Sequence, residues 1–140
     1  MNDIMNWEEC KRNFIKQVEI DIDRIKAIEE KAMLRLKRAK NTKINQENVF
    51  LVVEDYYEVI KELLVAYLLK NGLRSKNHQC LISYFYIKNK LYEKESYLIS
   101  QMSFFRNRLN YYGENIPVEF YNKNKEDFEK IISVLKGLIK

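Results

Sequence analysis

The stretch Phe104-Phe105-Arg106-Asn107-Arg108-Leu109-Asn110-Tyr111-Tyr112-Gly113 sets two arginines and two asparagines into the tail of an apolar helical pattern. A guanidinium group is a planar fork of donors that grips a carboxylate or a phosphate through two parallel bonds. Arg106 and Asn110 stand one turn apart on one face, beside the Met102, Phe105 and Leu109 seam. An arginine in that position must carry its head out to water, pair with an acid, or serve a site. Asp55 and Glu58 are the acids that would pair with it, and residue chemistry alone leaves pairing and site equally open.

Other chemistries find little support. There is no P-loop, GxGxxG, HExxH or nucleophile elbow. The single histidine, His78, follows Arg74-Ser75-Lys76-Asn77 where a helix should begin, and reads first as a packing or capping residue. One histidine cannot build a histidine metal cluster, so no metal and no cofactor is expected. Cys10 and Cys80 are too far apart for CxxC spacing and read as two reduced thiols on helices. The acids Glu93 and Glu95, and Glu126, Asp127 and Glu129, stand among lysines and read as surface pairs. Tyr56 and Tyr57 read as core or subunit-boundary filler.

The elements that would position these residues are helices. Asn6 with Glu9 resembles a capping box. From Trp7, apolar residues recur at Phe14, Val18, Ile22, Ile25, Ala32 and Leu36. The first forty residues therefore read as helix throughout, as one rod or as two with a kink near Lys16–Gln17. Asn45 is a cap for the next segment, 46–71, which is apolar around most of its circumference and belongs at the centre of the fold. Gly72 ends it. A short helix from a Ser75 or Asn77 cap runs through Ile87. Leu91, Leu98, Met102, Phe105, Leu109 and Tyr112 make a helical seam that stops at Gly113, and Pro117 starts the last helix. The expectation is a single all-α domain over 1–140, an up-down bundle of four long helices plus one short helix.

Composition agrees with this reading. A chain of 140 residues with 46% apolar and 32% charged residues is one soluble domain's worth, and 3 glycines and 1 proline are too few for most all-β folds. The longest apolar run, Leu63 to Leu69, falls well short of the ~20 residues that span a bilayer, and Met1 to Trp7 lacks the apolar core of a signal peptide. A cytoplasmic location away from membranes is expected. The net charge is +5. Basic residues cluster without acids over 31–43 and 70–90, with an acidic segment between them. Charge alone favours solvated helix surfaces over a phosphate-attracting face.

The central stretch resembles HEPN domains. Asp55-Tyr56-Tyr57, Ala66, Leu68-Leu69, Gly72-Leu73 and Ser75-Lys76-Asn77-His78 are similar to that family's Tyr-Tyr helix, its glycine stop and its Lys-x-His turn. Arg106-Asn107-Arg108-Leu109 is similar to its signature helix. The resemblance implies a five-helix bundle that commonly dimerises. It also implies a metal-independent RNase or toxin paired with a nucleotidyltransferase-fold protein. The family signature is an arginine, four to six residues, then a histidine. Here positions 111, 112 and 113 are Tyr, Tyr and Gly, and from Arg108 the matching positions are Gly113, Glu114 and Asn115. Tyrosine titrates near 10 and is a poor base at neutral pH. The resemblance thus implies a non-nuclease module, with Arg106, Asn107, Arg108 and Asn110 holding nucleotide or RNA phosphate. A divergent RNase using Arg106 with Tyr111 or Asn110, and a purely structural homodimer, are the rivals.

Overall fold

A computed structural model describes residues 3–140. Helix dominates it, and each start and stop has a local cause. Asn6 accepts the Glu9 amide at 3.1 Å and opens a short α1, Trp7–Asn13. Strand β1, Ile15–Gln17, follows, and Asp21 accepts the Arg24 amide to open α2, Ile22–Asn41. The Asn45 side chain accepts the Glu47 and Asn48 amides, both at 2.8 Å, in the turn before α3, Val49–Lys70. At Gly72, φ of 72° reverses the chain into β2, Leu73–Ser75. A Cβ at Gly72 would also meet the Val18 carbonyl at 3.3 Å, so glycine is required there twice over. Asn77 caps α4, His78–Lys88, through the Gln79 amide. A 3-10 turn, Lys90–Tyr92, leads into α5, Glu93–Tyr112, which ends on left-handed Gly113. Pro117 precedes α6, Val118–Ile139.

Of the first forty residues, 14–21 depart from the expected helix. Ile15 to Gln17 pair antiparallel with Ser75 to Leu73, and the Val18 amide donates to the Gly72 carbonyl. Among the described residues α2, α3, α5 and α6 are the longer helices and α1 and α4 the shorter ones, which agrees with an all-α class. Helix α3 is the hub: α2, α4, α5 and α6 all pack on it, which is why it is apolar on nearly every face. Its surplus apolar surface is therefore consumed within the chain. A chain of rings, Tyr56–Phe128 at 5.5 Å, Phe128–Phe120 at 5.9 Å and Phe120–Phe105 at 4.7 Å, carries packing from α3 through α6 to α5. Leu91, expected in the buried seam, is 85% exposed because the 3-10 turn rotates it outward.

Two side-chain expectations change. Cys10 and Cys80 are not free thiols: they form a disulfide with Cα atoms 5.5 Å apart, joining α1 to α4. Strand pairing and the Trp7–Tyr84 contact, centroids 5.3 Å apart, bring the two together across a separation of 70 residues, which no local spacing reveals. On chain entropy, closing so long a loop stabilises the fold by about 4 kcal/mol. Glu95, expected on the surface, is buried and accepts from Lys130 of α6 at 2.9 Å. Burial alone would raise its pKa, but the Lys130 bond and neighbouring lysines outweigh it and hold the carboxyl below its ordinary range. Among the described residues, no helix is long and apolar enough to cross a membrane.

Candidate functional site: the Arg106 niche

Arg106 and Arg108 are expected to act together, yet residues two apart on a helix do not face the same way. Arg106 turns toward α3. One terminal nitrogen lies 3.2 Å from Glu58 Oε1, and its guanidinium sits over the Tyr57 ring at 5.7 Å. Glu58 is shared, because its other oxygen meets Lys61 Nζ at 2.7 Å. Arg106 Nε and the neighbouring Glu58 Oε1 are both buried, and neither makes a hydrogen bond within the protein. A buried, unused N–H costs about 1–3 kcal/mol, so such a group is a natural place for a ligand acceptor.

The first turn of α4 packs beside this cluster. Gln79 Nε2 donates to Ser103 Oγ at 2.9 Å, which docks α4 onto α5 one turn before Arg106. Ser103 also bonds the Tyr57 hydroxyl; burial pushes that phenol's pKa up, and the Ser103 bond and Arg106 offset part of the rise. His78, half-buried at the first position of α4, feels the same charges. Burial, then Lys61 and Arg106, lower its pKa, with Glu58 opposing, so the imidazole is neutral at pH 7. Lys61 and Arg106 against Glu58 leave one net positive charge beside a neutral ring that can both donate and accept.

The other expected site residues lie elsewhere. Arg108 is held by Glu114, with Nε to Oε2 at 2.9 Å and a second bond from its terminal nitrogen to Oε1. It stacks outward between Tyr112, 4.5 Å to the ring centroid, and Phe104, 5.8 Å. The Glu114 bond raises the Arg108 pKa and lowers that of Glu114. Asn107 and Asn110 are exposed, and of the two only Asn110 shares Arg106's face. Tyr111 is 78% exposed and stands roughly 140° round the helix from Arg106. It therefore cannot replace a histidine beside that arginine. No group of three or more His, Cys, Asp or Glu side chains that could hold a metal occurs among the described residues.

Lys61 is the member that the sequence does not single out, and His78 stands there only as a packing or capping residue and as the histidine of the family-like turn. Lys61 stands three residues after Glu58, but a helix apolar all round gives no sign of which turn faces α5. His78 enters through the Gln79–Ser103 contact, a tertiary event. The basic run 31–43 is answered by α3: Arg38 pairs with Asp55, and Arg35 bonds Glu62 at 2.9 Å. Compared with known protein families, with curated proteins and with solved structures, the chain matches none of them.

Proposed function

We propose that the chain is a cytoplasmic HEPN-like helical module, an up-down bundle that binds the phosphate of a nucleotide or RNA in the Arg106 niche. Its natural partner would be a nucleotidyltransferase-fold protein in a toxin–antitoxin-like pairing. The observation that carries the reading is the buried, unpartnered Arg106 Nε beside Lys61 and neutral His78. A phosphate oxygen would satisfy that donor, and its charge would be met by Lys61 and Arg106 against the Glu58 carboxylate that both already contact. Arg108, already neutralised by Glu114, contributes less than the helix motif implies. The test is retention of fluorescein-labelled RNA by the wild type, Arg106→Ala and Arg108→Ala. Binding should fall far more for Arg106→Ala, and equal losses would argue for diffuse attraction to a basic surface.

A second reading, a divergent RNase, now rests on His78 rather than Tyr111, because His78 is the base that shares Arg106's field. We expect cleavage of RNA by the isolated protein to be weak or undetectable in metal-free buffer. One histidine must supply both base and acid, and general acid–base help is worth ~10²–10⁴ in rate. Robust cleavage abolished by His78→Ala would replace the binding reading with an enzyme.

We also infer a homodimer, with the outer face of α5 as the contact. Phe104, Tyr111 and Tyr112 are 40%, 78% and 69% exposed there, flanking stacked Arg108. Aromatic residues and arginine are the types enriched where interfaces bury surface. Light scattering at micromolar concentration should give twice the 17.0 kDa chain mass, and a monomer mass would contradict this.

A further inference from the structure

The segment carrying His78 is tied to the N-terminal arm on both sides. Before it, β2 pairs with β1 over Leu73–Ser75. After it, Cys80 is joined to Cys10 of α1. Between the ties, Ser75 Oγ receives the Asn77 amide at 3.1 Å, and Asn77 caps the helix whose first residue is His78. The arm's own elements are short. Helix α1 has 7 residues and β1 has 3, lengths that are marginal alone. Trp7 against Tyr84, Ile4, Ile15 and Val18 on the core, the strand pairing and the disulfide together supply its anchorage.

We propose that the Cys10–Cys80 disulfide is a thiol-responsive latch: closed, it holds the arm against the start of α4 and keeps His78 in the Arg106 niche; open, it frees both. The inference rests on the phosphate-binding reading of that niche for its consequence, though not for the motion itself. The chemistry is thiol–disulfide exchange with a small thiol of the glutathione class. A thiolate attacks one sulfur and forms a mixed disulfide while the other cysteine leaves as thiolate and takes a proton. A second small thiol resolves the mixed disulfide, leaving Cys10 and Cys80 as thiols and the small thiol as its own disulfide. Both cysteines are fully buried, so exchange proceeds through opening of the short arm.

Reduction leaves α2, α3, α5 and α6 with their packing intact. It also returns the latch to thiols, the form that the chain's cysteine spacing suggested. In a reducing compartment such a bond serves as a transient sensor rather than a permanent staple.

The test compares oxidised protein, protein fully reduced with dithiothreitol, and Cys10→Ser, using three readouts. The chain has 1 histidine, so its imidazole resonances report this site alone. Reduction should move the His78 titration midpoint up toward that of a free histidine, about 6.5. Trypsin should cut rapidly after Arg12 and Lys16 in the reduced form only. The dissociation constant for labelled RNA should rise about tenfold or more as preorganisation is lost. Cys10→Ser should behave as the reduced form, and reoxidation should restore the wild type. An unchanged His78 midpoint and unchanged trypsin pattern after complete reduction would overturn the latch. Loss of helical circular dichroism would overturn it too, because the bond would then hold the whole fold. If oxidised protein binds no RNA, the phosphate reading fails while the first two readouts still decide the latch.

Discussion

Arg106→Ala should raise the dissociation constant for short RNA roughly 30-fold, whereas Lys37→Ala should change it less than about threefold. The larger figure follows from losing charge-assisted bonds worth about 2 kcal/mol together. Lys37 is an exposed residue on the outer side of α2 and adds only a salt-screened field. The substitution leaves Glu58 one counter-charge, because its other oxygen keeps Lys61 at 2.7 Å. Tyr57 likewise stays buried in the core. Isothermal titration at two salt concentrations checks both numbers. Comparable losses from the two substitutions would mean that binding is to overall charge.

The largest effect on stability should come from Phe128→Ala, at about 3–5 kcal/mol. Phe128 is fully buried, with rings of Tyr56 and Phe120 at 5.5 and 5.9 Å, so its removal empties the middle of the aromatic chain linking α3, α6 and α5. At this chain length the midpoint of thermal unfolding should fall by about 10 °C or more. Phe105, next to Arg106, is two rings away through Phe120, so binding should weaken only where the fold itself is lost. Thermal unfolding followed by circular dichroism checks this. A shift under a few degrees would mean that the site collapses around the gap.

Helices and their ends were legible because their causes are local. Asn6, Gly72, Gly113 and Pro117 act through their own dihedrals and their nearest amides. The arm was not legible. Phe14 and Val18 fit a helical stripe, but Ile15 to Gln17 are drawn into a strand by β2, more than fifty residues away. The disulfide follows from that same pairing, as does the burial of Glu95 from its meeting with Lys130 of α6. Within the candidate site, Arg106 is legible because an arginine beside an apolar seam needs a partner, and Glu58 is one of the two acids on the neighbouring apolar helix. Adjacency puts Arg108 with it and the family's histidine spacing puts Tyr111 with it, and helix geometry undoes both. Lys61 and His78 joined only when α3, α4 and α5 came together.

The central claim, that a ligand phosphate enters the Arg106 niche, has a direct reporter in the lone histidine. Its imidazole is held neutral at pH 7 by burial and by Lys61 and Arg106. A phosphate bound beside it adds negative charge and favours the imidazolium form. Nuclear magnetic resonance titration of oxidised protein, with and without saturating short RNA, should show the His78 midpoint rising by about one unit on binding. RNA that binds and leaves the midpoint where it was would contradict the account.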